Sequence, residues 1–152
     1  MTKPDPIAAL TKELRLCFHR LAALGDALHA DLGITAAMRG VMESLSDGAE
    51  QTVPQVARAK SVTRQHIQVL VNQLVAARLV HSKPNPRDKR SPLIALTAEG
   101  RKAFRAMRER EATVLADLAQ AMRATDTEAA LAVLEELHRQ LDQRLQEAAV
   151  DA

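Results

Sequence analysis

Apolar side chains recur along the first part of the chain at alternating intervals of three and four residues. Asp5 and Pro6 precede this repeat, and they are suited to the cap and the first turn of a helix. Alternating intervals of three and four form a heptad seam, which a helix buries against another helix. We therefore predict a long first helix that ends at Gly33 and needs a helical partner. The seam consists of Ile7, Leu10, Leu14, Cys17, Leu21, Leu24 and Leu28.

Three threonines divide the next part of the chain into helices. Thr35 is predicted to cap a second helix, Thr52 a very short third helix with Pro54 in its first turn, and Thr63 a fourth helix that ends at Ala77. The fourth helix combines an apolar stripe with a polar outer surface, so we expect it to pack on one side only. The stripe consists of Ile67, Leu70, Val71 and Leu74.

A basic, proline-rich loop lies between two short apolar runs. Residues 79–83 and residues 92–96 have the length of short strands. Residues 84–90, between them, contain two prolines and three basic residues. The sequence therefore predicts a β-hairpin with a positively charged tip.

Two further helices are predicted after the hairpin. Thr97 is suited to cap a long helix that continues to Met122, and Thr125 with Glu128 has the pattern of a capping box for a last helix. Helix-forming residues dominate both ends of the chain, which disfavours an all-β fold. The last helix has a stripe of Leu134, Leu137, Leu141 and Leu145.

Charge is distributed unevenly along the chain. Residues 52–102 contain ten basic and two acidic residues, a net charge of +8, whereas the whole chain carries only +2 and the remainder therefore −6. A basic centre between acidic helical ends is typical of a module that contacts a polyanion with its middle part. The alternative is a chance run of charge on a solvated face.

Composition and spacing argue against several functions. With two phenylalanines and no tryptophan or tyrosine, any ligand site has to be built without tryptophan or tyrosine stacking. The single cysteine excludes an internal disulfide, and the five histidines lack metal-ligand spacing. We see no nucleophile–base set or phosphate-binding glycine loop, so we expect no enzyme, no cofactor and no metal. The first residues have no signal-peptide pattern, so we expect a cytoplasmic protein without a membrane segment.

The order of the predicted elements and five sequence runs together resemble the MarR family of bacterial transcriptional regulators. The resemblance implies a mainly α fold with a small β-hairpin wing, a winged helix-turn-helix with N- and C-terminal dimerisation helices. It implies a single domain, residues 1–152, with dimerisation helices in 5–33 and 103–149 and a DNA-binding lobe in 35–102. The runs are Val53-Pro54-Gln55-Val56-Ala57, Ser61-Val62-Thr63-Arg64-Gln65, Leu79-Val80, Asn85-Pro86-Arg87-Asp88-Lys89-Arg90-Ser91 and Leu96-Thr97-Ala98-Glu99-Gly100.

The resemblance also implies a function, which is sequence-specific binding of double-stranded DNA by a homodimer. The expected target is a pseudo-palindromic operator with half-sites about one helical turn apart, and the expected result is repression, with activation as the alternative. A rival hypothesis is a helical protein-interaction module whose basic hairpin meets an acidic partner. Salt dependence and sequence discrimination on DNA separate the two.

The family's DNA-contacting positions correspond to nine residues of this chain. The fourth helix resembles the recognition helix, in which glutamine suits adenine and arginine suits guanine. In the wing, Arg90 resembles an arginine that enters the minor groove, Asp88 is expected to hold its guanidinium, and the other two basic residues are expected to contact phosphates. A merely solvated surface is the alternative. The nine residues are Thr63, Arg64, Gln65, His66, Gln68, Arg87, Asp88, Lys89 and Arg90.

The chain departs from the family pattern at three positions. Ser61 and Arg78 stand where the family usually has glycine, at positions that commonly need a positive φ. A residue with a side chain there costs about 1–2 kcal/mol unless the backbone differs. Val69 stands where the family often has a basic residue, which shifts the expected base contacts toward Gln65 and Gln68.

The resemblance further implies an effector pocket between the dimerisation helices and the DNA-binding lobe. A small-molecule effector, anionic if a polar residue of the pocket binds it, is one hypothesis, and oxidation of Cys17 is another. The tyrosines that hold the thiolate in peroxide-sensing relatives are missing, and a cysteine in a heptad seam is more often a small buried apolar residue. The residues expected to line the pocket are Cys17, His19, Arg20, Met38, Met42 and Phe104.

Overall fold

The structure, a computed structural model, describes residues 5–150, without the side chain of residue 150. The chain divides into two compact units, Met1–Glu111 and Ala112–Ala152. The boundary falls inside a helix that starts in the first unit and ends in the second. No helix in the described part of the chain is long and apolar enough to cross a membrane.

The first helix, α1, spans Pro6–Leu28 and begins as predicted. The Asp5 side chain accepts a hydrogen bond of 3.0 Å from a backbone N–H of the first turn. The predicted end at Gly33 is wrong, because the backbone tightens after α1 into a 3₁₀ turn, Ala30–Leu32. Gly33 then reverses the chain with a φ of 62°.

Helices α2, α3 and α4 follow, and each has the threonine N-cap predicted for it. They span Ala36–Ser44, Val53–Ala59 and Arg64–Ala76. The hydroxyl groups of the three threonines accept backbone N–H bonds of 3.2, 3.3 and 3.1 Å in turn. Local side-chain chemistry therefore sets all three helix starts.

A three-stranded antiparallel sheet borders these helices. Its strands are β1 (Gln51–Thr52), β2 (Val80–Lys83) and β3 (Leu93–Leu96), arranged in the order β1-β3-β2. The β2–β3 pair is the predicted hairpin, with Val80 opposite Leu96. We did not predict β1, because two residues are too short to form an alternating pattern.

The apolar core of the first unit joins α2, α3, α4, the sheet and the start of the fifth helix. The predicted stripe of α4 is buried in this core, and its outer surface stays exposed. Burying one such side chain stabilises the fold by about 1.5–3 kcal/mol. The apolar residues with the least exposure are Val41, Met42, Val56, Leu74 and Met107, all at 0%, and Leu45 and Ile67, both at 1%.

Helix α5 spans Ala98–Gln120 and ends two residues before the predicted Met122. Thr97 caps it by accepting the backbone N–H of Gly100 at 2.9 Å. Gly100 lies so close to the preceding chain that an added Cβ would be 1.9 Å from the Leu79 carbonyl oxygen. A glycine is therefore required where α5 crosses the start of β2.

Helix α6 spans Ala124–Val150. The capping box predicted from Thr125 and Glu128 is wrong, because the Arg123 carbonyl already accepts the backbone N–H of Thr127 at 3.1 Å. Thr125 thus lies in the first turn. None of the described side chains of α6 is buried within this chain.

Both ends of α4 meet residues in the left-handed region. Ser61, before α4, has a φ of 54°, and Arg78, after it, has a φ of 60°. The backbone therefore keeps the conformation that glycine would favour, which excludes the alternative of a different local backbone. Each side chain costs about 1–2 kcal/mol in this conformation. A third such residue, Asp47 with a φ of 58°, was not predicted.

We predict that Arg78→Gly stabilises the protein by about 0.5–1 kcal/mol, because relief of strain exceeds the entropy that glycine adds to the unfolded chain. The free energy of unfolding in urea at fixed protein concentration measures the effect. The control is Ala77→Gly, next to it but at a φ of −78°, where glycine should destabilise. Equal shifts in the two variants would contradict the prediction.

Candidate nucleic-acid interface

Helix α4 presents a polar surface on the side opposite its buried stripe. At 3.6 residues per turn, Gln65, Val69 and Asn72 lie along the middle of this surface, and all three are exposed. Arg64, His66 and Gln68 are exposed beside them. The row of side chains has the width and polarity to contact base edges in a DNA major groove.

Two hydrogen bonds organise this surface. The Thr63 hydroxyl accepts the His66 backbone N–H at 3.1 Å, which leaves its own O–H free to donate to a phosphate. The Gln68 side chain donates from Nε2 to Oδ1 of Asn72 at 2.9 Å. This bond holds the two amides together and adds Asn72 to the predicted set. Its signal in the sequence was the interval of four residues from Gln68.

Asn85 braces the hairpin loop from within. Its side chain is only 9% exposed, donates to the Ser91 carbonyl at 2.9 Å and accepts the Arg87 backbone N–H at 3.1 Å. An asparagine that bonds both arms of a loop restricts the loop's conformations. We did not predict this role from the sequence.

The predicted pairing of Asp88 with the Arg90 guanidinium is wrong. The Asp88 carboxylate instead accepts the backbone N–H of Arg90 at 2.9 Å, because an aspartate side chain reaches the N–H two residues ahead within its own turn. Asp88 therefore shapes the loop, and the exposed side chains of Arg87, Lys89 and Arg90 project from the ordered turn.

A cleft lies between α3, the start of α4 and the hairpin loop. Arg58, Arg64 and Arg87 line it from these three elements. Two carboxylates, Glu50 and Asp88, also lie on its wall. Glu50 is paired with Lys83, so the three arginines still give the cleft a net positive charge. Arg58 was counted in the basic region but not assigned to the site, since only the fold brings α3 against the loop. Three guanidinium groups in one cleft suit the phosphates of a DNA backbone.

The six residues predicted for an effector pocket fall into two groups. Met38, Met42 and Phe104 are buried in the core of the first unit. The other three, Cys17, His19 and Arg20, are exposed on α1. Within a single chain, the seam position of Cys17 is therefore open to solvent.

A charged cluster beside Phe104 joins three helical segments. His29 is 1% exposed and its Nε2 lies 3.0 Å from Oε1 of Glu111. Arg39 of α2 donates to both oxygens of Glu111, with Nη2 at 2.6 Å from Oε2, and its guanidinium lies 5.7 Å from the centre of the Phe104 ring. Glu111 of α5 thus ties α2 to the residue that ends α1.

The environment of Glu111 favours its charged form. Burial acts to raise the pKa of the carboxyl, but hydrogen bonds from Arg39 and His29 outweigh burial, and the pKa lies below its ordinary value of 4.5. A lowered pKa in the folded state gives stability that is present above pH 4.5 and is lost as the pH falls through the folded value.

We predict that Glu111→Gln lowers the free energy of unfolding at pH 7 by about 1.5–3 kcal/mol, because it removes charge-assisted hydrogen bonds. The variant should also lose less stability than the wild type between about pH 5 and pH 3, because it lacks the carboxyl group whose pKa is lowered in the folded state. Urea unfolding at several pH values measures both effects. The control is Glu43→Gln, which keeps Glu111 and should lose as much stability on acidification as the wild type does. An equally large loss of stability in Glu111→Gln would refute the role assigned to the Glu111 carboxylate.

Helices α3 and α4 form a helix-turn-helix, and the β2–β3 hairpin follows α4 directly. A helix-turn-helix followed by a hairpin wing, with a basic surface across both, defines a winged helix-turn-helix DNA-binding protein. The predicted fold class, mainly α with a small β-hairpin wing in a winged helix-turn-helix, is therefore confirmed; the dimerisation role of the terminal helices stays a prediction.

Comparison with known proteins identifies the family within this class. The MarR family model matches residues 32–91. The Mycobacterium tuberculosis protein Rv2011c, which is uncharacterized, is 37% identical over 118 residues that cover 78% of this chain and 82% of that protein. The chain belongs to the MarR family of transcription regulators.

Solved structures share the fold at low sequence identity. The MarR family regulator SP03579 matches with a TM-score of 0.81, 24% identity and 93% coverage of both chains. A mutant of E. coli MarR complexed with operator DNA matches with a TM-score of 0.77, 23% identity and coverage of 86% of this chain and 94% of that one. Bordetella bronchiseptica BpsR, whose DNA binding is regulated by 6-hydroxynicotinic acid, matches with a TM-score of 0.74, 20% identity and coverage of 91% and 96%.

Proposed function

We propose that this regulator acts in the cytoplasm as a homodimer that binds a pseudo-palindromic operator and represses transcription by excluding polymerase. One observation carries the proposal: the cleft lined by Arg58, Arg64 and Arg87 places three arginines between the polar surface of α4 and the hairpin wing, and we call these parts together the basic face. Such a face contacts the bases and the backbone of one half-site together. Two copies related by a two-fold axis then contact two half-sites about one helical turn apart.

The recognition helix and the wing have different roles in this proposal. In the major groove, Gln65 and Gln68 contact bases, and Arg64 contacts a guanine or a phosphate. Near the start of α4, Thr63 and His66 contact the DNA backbone. A good bidentate pair contributes about 1–3 kcal/mol of discrimination against the wrong base.

The wing supplies affinity more than sequence discrimination. Arg90 enters the minor groove, where groove width and negative potential attract an arginine. Arg87 and Lys89 contact phosphates on either side, and Asp88 keeps the turn in shape through its bond to the Arg90 backbone. Phosphate contacts release counterions, so binding becomes steeply dependent on salt.

We predict that Arg90→Ala weakens binding on every DNA sequence and lowers the slope of log K against log salt by about one for each wing. By contrast, Gln65→Ala should change the preferred sequence more than the overall affinity, because its contact is to a base. Equilibrium binding to the operator and to single-base variants at several salt concentrations measures both. As a control, Arg139→Ala on α6 removes a cation that is not part of the basic face. Equal effects of Arg90→Ala and Gln65→Ala on every DNA sequence would contradict the different roles proposed for the wing and α4.

The homodimer is supported by apolar side chains that the single chain leaves uncovered. A helix as long as α6 gains its stability mainly from packing of an amphipathic face, yet none of its described side chains is buried. The heptad seam of α1 is likewise without a buried residue. In the proposal, α1 and residues 103–149 pair with their copies, while residues 35–102 form the DNA-binding lobe of a single domain. The exposed apolar residues of α6 include Leu131, Val133, Leu141 and Leu145.

We predict that Leu141→Asp dissociates the dimer and weakens operator binding by at least about tenfold, because burial of one carboxylate in an apolar interface costs several kcal/mol. Sedimentation equilibrium and a binding titration measure the two effects. The matched control is Gln143→Asp, which adds the same charge on the same helix and should leave the dimer intact. A Leu141→Asp protein that remains dimeric would exclude α6 from the interface.

We also propose that a small-molecule effector releases the operator. BpsR, similar in fold, is regulated by an aromatic acid. Here His19 and Arg20 on α1 are exposed side chains with N–H donors that suit a carboxylate, whereas Met38, Met42 and Phe104 are buried in the core and would contact a ligand only if the core opens. Titration of the protein–operator complex with 6-hydroxynicotinic acid and related acids tests this part, and unchanged binding across the series would oppose it.

A further inference from the structure

An apolar side chain interrupts the polar surface of α4. Val69 is 51% exposed and lies one turn after Gln65 and one turn before Asn72, on the side opposite the buried stripe. Its neighbour Gln68 is held by its bond to Asn72, so the amide groups beside Val69 have defined positions. Val69 is thus fixed at the centre of the surface that would face the bases.

The chemistry of a valine restricts what it can recognise. Its side chain has no donor or acceptor, and in a helix its branched Cβ strongly favours one χ1 rotamer. On the base edges of the major groove, the C5 methyl group of thymine is the apolar feature, and small apolar side chains contact it. A short, rigid, apolar side chain between amides is therefore suited to read a methyl group.

We propose that Val69 contacts the C5 methyl group of one thymine in each half-site and selects thymine over cytosine there. The inference rests on the proposed function, in which α4 lies in the major groove of an operator. It adds a specificity-determining residue that acts by apolar contact, in addition to the amides of Gln65 and Gln68.

A second exposed valine on the same helix provides an internal comparison. Val75 is 43% exposed, but it lies in the last turn of α4 and on the flank of the helix, about 120° around the axis from Val69. It should not reach the bases that Val69 reaches. Both valines can be changed to alanine with the loss of the same two methyl groups.

The test uses an operator duplex selected by the purified full-length protein from a random library. Each thymine is replaced in turn by deoxyuridine, which removes the C5 methyl group and keeps every hydrogen-bonding group of the base. For the wild type we expect one position per half-site at which the replacement weakens binding about fourfold. This is the change in affinity that corresponds to the loss of one buried methyl-sized group. Replacement in both half-sites should weaken binding about 15-fold, since the two contacts are independent.

The variants assign the effect to a residue. With Val69→Ala, the ratio of affinities for the thymine and deoxyuridine operators at this position should fall to near one, whereas Val75→Ala should keep the fourfold ratio. In a duplex with cytosine at the position, 5-methylcytosine should bind wild type more tightly than cytosine does, and Val69→Ala should bind the two equally.

The possible outcomes distinguish the role of Val69 from the proposed function. Specific binding without any methyl-sensitive thymine, or methyl sensitivity that persists in Val69→Ala, overturns the role of Val69 and leaves the proposed function intact. Binding that does not discriminate a selected duplex from a shuffled one overturns the proposed function and this inference with it.

Discussion

Packing of the apolar stripe of α4 into the core determines where every polar side chain on the other side of the helix points. Leu74 and Ile67, with 0% and 1% of their surface exposed, anchor the stripe. Each such side chain contributes about 1.5–3 kcal/mol, against about 1 kcal/mol for a typical hydrogen bond. Burial therefore decides the rotation of α4, and the row from Gln65 to Asn72 faces outward as a consequence.

The chain keeps strained backbone at both ends of this helix. Ser61 and Arg78, each at a cost of about 1–2 kcal/mol, turn the chain into α4 and out of it toward the wing. The Leu79 N–H bonds back to the Leu74 carbonyl at 2.9 Å, and Gly100 allows α5 to lie against Leu79. The position of the wing beside α4 follows from these contacts, and Asn85 then orders its tip.

Several features that depend on neighbouring residues could be predicted from the sequence, whereas features that depend on distant residues could not. The caps at Thr35, Thr52 and Thr63 are local, and all three are confirmed. The cluster at Glu111 joins residues 72 and 82 positions apart, and the arginine cleft needs α3 beside the wing, so neither had a signal in spacing. The end of α1 at Leu28, the start of α6 and the partner of Asp88 were mispredicted because competing backbone hydrogen bonds decide them.

The most direct test of the account is the affinity of the purified protein for DNA from upstream of its own coding sequence, against a shuffled duplex of equal composition, at two salt concentrations. A repressor with the proposed face binds the upstream duplex at least about a thousandfold more tightly than the shuffled one and loses affinity steeply as salt rises. Equal affinity for the upstream and shuffled duplexes, together with a genome-wide selection that enriches no sequence, would contradict sequence-specific recognition. Absence of binding even at low salt would contradict the account and favour the rival hypothesis of a protein-interaction module.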